Sequence, residues 1–151
     1  MRHVLEADPH CLVQLTRQQW ERQQTPEHLE KANKWKGLVG GPRSKEIKLD
    51  EKGPTLTSGY KNPANEATKY IFEEADGTVR DVPRFLTPRE CCRLMGFPES
   101  FQIPITNGRS SKGKVLTGEQ SESLFYCQIG NAVCPPVIQA IGAEMLRGLQ
   151  L

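Results

Sequence analysis

The chain has 151 residues, which suits one domain of ordinary size or one piece of a larger protein. Only 36% of the residues are apolar, so we predict a modest core, compatible with a module that is completed by a partner. The net charge of +2 is too small to imply nucleic-acid binding by itself, and no apolar run approaches the roughly 20 residues of a membrane span.

The polar N-terminal third carries two helix signals and one strand signal. Thr16 can cap a short helix through Gln24, and the Thr-Pro pair at Thr25 is typical of a second helix start. Further along, Ile47 and Leu49 alternate with charged residues. This alternation predicts a half-exposed strand.

The middle of the chain is predicted to be β-rich. A turn at Gly53-Pro54 precedes a short β-prone run over residues 55–60. Two further β-prone runs, 69–72 and 78–80, flank Asp76-Gly77. An Asp-Gly pair between such runs is a strong signal for a β-hairpin.

A short, well-specified helix follows the hairpin. Thr87 is a good N-cap, Pro88 suits the first helical position, and Glu90 stands where it closes a capping box. Gly96 offers a left-handed C-terminal stop, and Pro98 prevents continuation of the helix.

The C-terminal part is predicted to be a loop and a terminal helix. Residues 105–123 are rich in Gly and Ser and carry cations that could follow a phosphate backbone, namely Arg109, Lys112 and Lys114. Asn131 is a candidate N-cap for an amphipathic helix beginning at Pro135. The apolar residues at helical spacing in this helix are Val137, Ile138, Ile141, Met145 and Leu149.

The five cysteines show neither a Cys-x-x-Cys pair nor a His at metal-ligand spacing. Their odd number favours a reducing compartment and structural thiols. Cys134 precedes Pro135 at a helix start, where a thiol can gain thiolate character, but we favour a packing role for it.

Two of these segments carry a family resemblance. The string from Arg84 to Pro98 resembles the ninth motif of the C5-cytosine DNA methyltransferases, in which Arg-x-Leu-Thr-x-Arg-Glu leads into a helix ending Gly-Phe-Pro. The string from Tyr126 to Val133 resembles the tenth motif, and Pro54 to Thr57 is similar to a Pro-Thr-Leu-Thr segment of the target-recognition region. The sequence has no Pro-Cys nucleophile, Phe-x-Gly-x-Gly loop, Glu-Asn-Val or Gln-x-Arg-x-Arg. The resemblance is therefore to the C-terminal part of these enzymes.

The resemblance implies an α+β fold with three parts. Residues 1–104 form a small β-rich target-recognition region that includes the ninth-motif helix, and residues 105–123 form a flexible loop. Residues 124–151 hold the tenth motif and a helix that completes an α/β S-adenosylmethionine-dependent methyltransferase domain carried elsewhere. The chain is expected to be either a split subunit or a fragment of a longer protein.

The resemblance also implies roles for individual residues, with no catalytic residue and no metal ligand among them. The cofactor-binding candidates are Gly130, Asn131, Ala132 and Val133. The DNA-binding candidates are Thr55, Leu56, Thr57, Ser58, Tyr60, Lys61 and Arg84. The structural positions of the ninth motif are Thr87, Arg89, Glu90, Gly96, Phe97 and Pro98, with Arg89 expected to bridge the recognition region to the rest through its guanidinium fork.

The implied activity is methyl transfer from S-adenosylmethionine to C5 of cytosine in double-stranded DNA, in the cytoplasm of a bacterium or the nucleus of a eukaryote. The nucleophilic Cys belongs to a catalytic half, in trans or in the full-length protein, so this chain alone is expected to be inactive. Two alternatives stay open: a fragment of a tRNA cytosine-5 methyltransferase, and a non-catalytic DNA-binding or regulatory module. No membrane association is expected.

Overall fold

Four helices and one two-stranded sheet make up the part of the chain that the structure describes, giving a mixed α+β architecture. The structure is a computed structural model and describes residues 5, 15–23, 25, 46–62, 68–104 and 117–149. In chain order the elements are α1 (Arg17–Gln23), β1 (Ile71–Glu73), β2 (Val79–Arg84), α2 (Pro88–Met95), α3 (Gly118–Asn131) and α4 (Pro135–Leu149).

The predicted hairpin is confirmed. Strand β1 pairs antiparallel with β2, with Ile71 opposite Arg84 and Glu73 opposite Val79. The register shifts between these two pairs. Gly77 takes the left-handed conformation at the turn, with a φ of 87°. The amide of Thr78 donates to Asp76 Oδ1 at 2.8 Å, which fixes the Asp-Gly turn.

The strand predicted at Ile47 and Leu49 is reduced to a single parallel bridge between Glu46 and Tyr70. Both apolar side chains are buried as the alternation predicts. The Ile47 amide donates to Tyr70 O at 2.8 Å, next to the start of β1. The alternating pattern thus indicated the buried face correctly but overstated the extent of pairing.

Helix α2 has the termini that its sequence predicts. The Glu90 amide donates to Thr87 Oγ1 at 3.1 Å, and the Thr87 amide donates to Glu90 Oε2 at 2.7 Å, which completes the capping box. At the other end Gly96 has a φ of 78°, and the Phe97 amide donates to Cys92 O at 2.9 Å.

Helix α1 begins at the predicted cap. The Gln19 amide donates to Thr16 Oγ1 at 3.1 Å, and Gln19 Oε1 accepts from the Thr16 amide at 2.9 Å. Trp20 is buried and meets the rings of Tyr70 and Phe72 edge-on, with centroids 5.6 Å apart in both pairs. The second helix predicted after Thr25 lies outside the described residues.

Two predictions about the C-terminal part are wrong. Helix α3 begins at Gly118 behind a capping box of Thr117 and Gln120, so the last residues assigned to the 105–123 loop are helical. Asn131 is the final residue of α3 rather than the cap of α4. The first amides of α4, those of Val137 and Ile138, instead donate to the carbonyl of Cys134 at 3.0 and 3.2 Å. The loop cations Arg109, Lys112 and Lys114 lie outside the described residues.

One hydrophobic core joins α1, the hairpin, α2 and α3, whereas α4 contributes no buried residue to it. The core aromatic residues are Trp20, Tyr60, Tyr70, Phe72, Phe85, Phe125 and Tyr126. The exposed large apolar side chains of α4 are Val137, Ile138, Ile141, Met145, Leu146 and Leu149. The helix predicted from Pro135 is therefore confirmed, and its large apolar side chains are about half exposed or more.

The stretch Gln120–Leu149 is long and apolar enough, by length and composition alone, to cross a membrane. It is not one continuous helix, because the backbone turns extended at Ala132, between α3 and α4. Phe125, Tyr126 and Ile129 are buried in the core. A single such stretch, partly buried in this way, is weak evidence for a membrane span.

Candidate functional site

The run over residues 55–61, hereafter the recognition segment, is irregular over 55–57 and a turn over 58–61, rather than the β-prone strand expected from its sequence. The Tyr60 amide donates to Thr57 O at 2.9 Å, and the Asn62 amide donates to Gly59 O at 3.1 Å. Lys61 closes the segment in the left-handed region, with a φ of 73°. The turn presents some side chains outward and draws others into the protein.

The recognition segment lies against the end of α3, at Gly130. A Cβ atom on Gly130 would stand 2.2 Å from both the carbonyl carbon and oxygen of Thr57, and 2.5 Å from the Ser58 nitrogen. Only glycine allows this approach of helix to turn. The contact brings together the segment that resembles the target-recognition region and the segment that resembles the tenth motif.

Thr55 and Ser58 are the two exposed hydroxyl side chains of the recognition segment. Thr57 is partly buried, and its Oγ1 atom is buried without a hydrogen-bond partner in the part of the chain that the structure describes. Among the predicted DNA-binding residues Thr55 to Ser58, Thr55 and Ser58 are thus the ones that a nucleic acid can reach directly.

Leu56 and Tyr60, both predicted to bind DNA, are core residues instead. The Tyr60 hydroxyl donates to Lys69 O at 3.0 Å and accepts from the Leu86 amide at 2.9 Å. Its burial raises the pKa of the Tyr60 hydroxyl well above the ordinary value. A side chain held from both sides in this way supports the recognition segment and is not available to read a base.

Lys61 was expected to contact phosphate, but its ammonium group is engaged within the protein. Lys61 Nζ stands 2.9 Å from Glu122 Oε1 on α3 and 5.3 Å from the centroid of the Tyr126 ring. The Glu122 side chain is only 3% exposed. An ammonium group that compensates a buried carboxylate is poorly placed to neutralise a phosphate as well.

Arg84 was also predicted to contact DNA, and the structure corrects this, because its side chain is fully buried. The guanidinium meets Glu74 through Nη2 at 2.6 Å and Nε at 2.7 Å. It meets Glu90 through Nη1 at 2.8 Å and Nη2 at 2.9 Å. Nη1 also donates to the Phe85 carbonyl at 2.9 Å. Two paired carboxylates make the burial of this charge tolerable.

The Arg84 ion network fixes the hairpin to α2. Glu74 follows β1 and pairs with Arg80 on β2 as well, whereas Glu90 belongs to the capping box of α2. Burial by itself raises the pKa of the Glu74 carboxyl, but the hydrogen bonds and charges of Arg84 and Arg80 outweigh it and hold the pKa below its ordinary value. The sequence pattern gave Glu90 its capping role but did not single out Glu74 or Glu122.

Arg89 and Gly96 tie α2 to the segments that come later in the chain. Arg89 Nη2 donates to Phe101 O at 2.9 Å, and its Nη1 atom is buried without a partner among the described residues. A Cβ atom on Gly96 would stand 2.7 Å from Pro136 Cγ at the start of α4. Cys134 Sγ donates to Met95 O at 2.9 Å, which is a packing contact of the kind favoured for this thiol.

The remaining ninth-motif residues complete the packing around α2. The rings of Phe97 and Phe101 stand 4.7 Å apart, and Pro98 O accepts from the Phe101 amide at 2.9 Å. Cys91 and Cys92 are fully buried, and their burial raises the pKa of both thiols. No group of metal-binding side chains occurs among the described residues.

The predicted cofactor-binding residues lie where α3 ends. Gly130 is partly buried against the recognition segment, and Asn131 is exposed, with its side-chain amide 3.9 Å from Cys127 Sγ. The backbone is extended at Ala132, and the Val133 side chain is 64% exposed. This edge offers a side-chain amide and an exposed apolar side chain next to the Gly130 contact with the recognition segment.

Comparison with known proteins places these features in a family. The family model for C-5 cytosine-specific DNA methylases matches residues 4–147. The chain is similar to the type II methyltransferase M.NlaX of Neisseria lactamica, with 42% identity over 44% of this chain and 17% of the relative. It is also similar to the type II methyltransferase M.DsaV of Dactylococcopsis salina, with 42% identity over 64% of this chain and 21% of the relative.

A solved structure shares the fold. The crystal structure of S. pombe Dnmt2 methyltransferase superimposes with a TM-score of 0.54 at 22% identity, covering 99% of this chain and 42% of that one. The chain spans about a fifth of the length of the two bacterial relatives. The match to the family model over nearly the whole sequence shows that the chain belongs to the C-5 cytosine-specific DNA methylase family.

Proposed function

We propose that this chain is the C-terminal portion or a split subunit of a DNA (cytosine-5)-methyltransferase. In this role it supplies DNA recognition and one wall of the S-adenosylmethionine pocket, in the cytoplasm of a bacterium or the nucleus of a eukaryote. The observation that carries the proposal is the contact at Gly130, where the recognition segment and the tenth-motif segment meet backbone to backbone. A surface that must present DNA bases beside a methyl donor requires such proximity.

The reaction divides between the two halves of the enzyme. The catalytic half supplies the cysteine that attacks the cytosine ring, and the cofactor supplies the methyl group. On this chain, Thr55 and Ser58 would contact the DNA. The target base must leave the base stack of the duplex, at a cost of a few kcal/mol. Asn131 would contribute a side-chain amide to the cofactor pocket, and Val133 would contribute an apolar surface. These two side chains suit one wall of a pocket rather than a complete pocket.

The partner of this chain would be the catalytic half, docked on α4. The apolar side chains of α4 are about half exposed or more, although burying each would be worth roughly 1.5–3 kcal/mol. The chain also spans only about a fifth of its bacterial relatives, which supports the proposal that a catalytic half lies elsewhere. An extensive apolar surface and a large missing part support the same occupant.

The two alternatives are less well supported. The similarity to Dnmt2 is a similarity of fold at 22% identity and says nothing about a tRNA substrate. A regulatory module without catalysis would leave no evident reason for the contact at Gly130 between recognition and cofactor segments. Both bacterial relatives named above are type II methyltransferases.

A hybrid enzyme tests the proposed substrate. The 97-residue region of the Dactylococcopsis salina relative that this chain matches would be replaced by the chain, and the hybrid would receive labelled S-adenosylmethionine with double-stranded DNA or with tRNA. We expect methylated DNA and unlabelled tRNA. Label in tRNA alone would overturn the proposed substrate.

The same hybrid tests which residues read bases. Thr55→Ala and Ser58→Ala should change which DNA sites are methylated, because a lost base contact alters discrimination by about 1–3 kcal/mol. Sequencing of the methylated sites measures this directly. If neither variant alters site preference while substitutions in residues 105–116 do, the recognition surface lies in that segment instead.

A further inference from the structure

The recognition segment is joined to α3 by an ion pair that crosses a long stretch of sequence. Lys61 Nζ and Glu122 Oε1 are 2.9 Å apart, and the Lys61 side chain is 27% exposed against 3% for Glu122. A carboxylate buried to this degree needs a charged partner, and Lys61 provides one. The ion pair therefore links the recognition segment to α3 and differs from an ion pair between two exposed side chains.

Aromatic contacts reinforce the ion pair. The Lys61 ammonium lies over the Tyr126 ring, 5.3 Å from its centroid, which is within the range of a cation–π interaction. The rings of Tyr60 and Tyr126 have centroids 5.7 Å apart. Tyr126 is itself fixed, because its hydroxyl donates to Leu86 O at 2.6 Å. The base on which the recognition segment rests is thus rigid.

The backbone of Lys61 is also unusual. A φ of 73° is uncommon for a residue with a side chain, so the surrounding contacts must hold it there. Gly130 lies about two turns after Glu122 on α3. It is so close to the backbone of Thr57 and Ser58 that no Cβ atom would fit there. The segment is therefore held at its C-terminal end by Lys61 and at its middle by the contact with Gly130.

We infer that Lys61 and Gly130 are positioning residues, which clamp the recognition segment onto α3 so that the two move as one unit. The inference rests on the proposed function for its consequence: Thr55 and Ser58 on the DNA side would be coupled to residues 131–133 on the cofactor side. We expect cofactor binding to strengthen DNA binding through this unit, and by thermodynamic reciprocity DNA binding would then strengthen cofactor binding by the same factor.

Hydrogen exchange on the intact chain tests the clamp without any ligand. Lys61→Met keeps a long apolar stem over Tyr126 but removes the charge. We expect faster exchange at the Tyr60 and Asn62 amides and in the last turn of α3, with the hairpin amides unchanged. Lys48→Met is the matched control, since Lys48 forms an exposed ion pair with Glu51. Equal exchange in the two variants overturns the clamp.

Two further variants separate positioning from a general role in folding. Exchanging the charges, with Lys61→Glu and Glu122→Lys together, should restore slow exchange that either change alone abolishes. Loss of protection throughout the core in Lys61→Met would show that Lys61 supports folding as a whole, which contradicts the inference. Failure of the exchanged pair to recover any protection counts against it in the same way.

The hybrid enzyme tests the coupling. DNA affinity would be measured with and without S-adenosylhomocysteine, the cofactor without its methyl group, over a range of salt concentrations. We expect Lys61→Met to reduce the cofactor-dependent gain in DNA affinity severalfold and to leave the salt dependence unchanged. A salt slope lower by about one, with the gain intact, would make Lys61 a phosphate contact instead. A wild-type hybrid that binds no DNA contradicts the proposed function, and hydrogen exchange alone then decides the clamp.

Discussion

Arg84 lies at the centre of a buried ion network whose carboxylates come from two different elements, Glu74 after β1 and Glu90 on α2. Every nitrogen of the guanidinium donates to one of these carboxylates, and one of them donates to a backbone carbonyl as well. Its removal would take the charged partner from the fully buried Glu90 and leave Glu74 with Arg80 alone. The arginine of the ninth motif therefore acts through the packing of hairpin on helix.

Arg84→Met should lower the free energy of unfolding by about 3–5 kcal/mol, because it removes the charged partner of the buried Glu90 and one of the two arginine partners of Glu74. Urea denaturation followed by tryptophan fluorescence would measure the change, since Trp20 is buried in the same core. Arg147→Met is the matched control, because Arg147 pairs with Glu144 on the exposed face of α4 and should change stability by no more than about 0.5 kcal/mol. Equal effects of the two substitutions would contradict the role assigned to the network.

The Glu74 carboxyl should make the fold sensitive to acid. Its pKa in the folded protein lies below the ordinary value of 4.5, so its stabilising contribution is complete above pH 4.5 and is lost as the pH falls through the folded pKa. Glu74→Gln should therefore reduce stability at neutral pH and flatten the loss of stability below pH 4.5. Urea midpoints measured between pH 3 and 7 would check this. A variant with the same pH dependence as the parent would show that Glu74 is not the group that titrates.

Gly130 is the residue on which the meeting of the two motifs depends. Gly130→Ala would place a methyl group 2.2 Å from the Thr57 backbone, and such overpacking should lower the free energy of unfolding by about 1–3 kcal/mol. Gly142→Ala in α4 has open space around its Cβ position and should instead raise it by about 0.5–1 kcal/mol. Opposite signs in thermal melts would confirm the close approach, whereas a neutral Gly130→Ala would contradict it.

At the scale of elements, the sequence predicted those whose signals are local. The caps of α2 and the Asp-Gly turn of the hairpin need only a few neighbouring residues, and both are as predicted. Helix α3 was partly mistaken for loop because Gly118 and several serines obscured its start. Its signal was nevertheless present, since Thr117 and Gln120 stand at capping-box spacing.

The candidate site was less predictable than the elements, for a physical reason. Residue type suggested that Arg84, Lys61 and Tyr60 face DNA, but their partners decide otherwise. The partners are distant in the sequence, as Glu122 is from Lys61 and the Leu86 backbone is from Tyr60. No local sequence pattern predicts contacts of this kind. The exposed hydroxyls of Thr55 and Ser58 and the glycine at 130 are what remains of the predicted surface after packing is taken into account.

Helix α4 is the proposed docking surface for the catalytic half. Ile141 is 51% exposed, so Ile141→Asp should leave the free energy of unfolding of the isolated chain within about 0.5 kcal/mol of the parent. The same change should abolish binding to the Dactylococcopsis salina relative from which the matched region has been deleted. Titration calorimetry would measure the binding, and Gln139→Asp, on the same exposed helix, is the matched control. Unchanged affinity of Ile141→Asp would remove α4 as the docking surface.

At the scale of the whole molecule, the chain joins the recognition segment and the tenth-motif segment in one core, to which α4 contributes no buried residue. The ion network secures the hairpin to α2, and the Lys61 and Gly130 contacts secure the recognition segment to α3. The large apolar side chains of α4 remain exposed. This arrangement is what a part of a methyltransferase needs if the nucleophile and most of the cofactor pocket come from another part.

Complementation of methyl transfer tests the proposed division of the enzyme most directly. This chain, the truncated Dactylococcopsis salina relative and their mixture would each be incubated with labelled S-adenosylmethionine and double-stranded DNA. We predict label in DNA from the mixture and from neither component alone. Methyl transfer by this chain alone, abolished by Cys134→Ala, would contradict the proposal by placing the nucleophile here, and a mixture that transfers no label would contradict the division of the enzyme into these two parts.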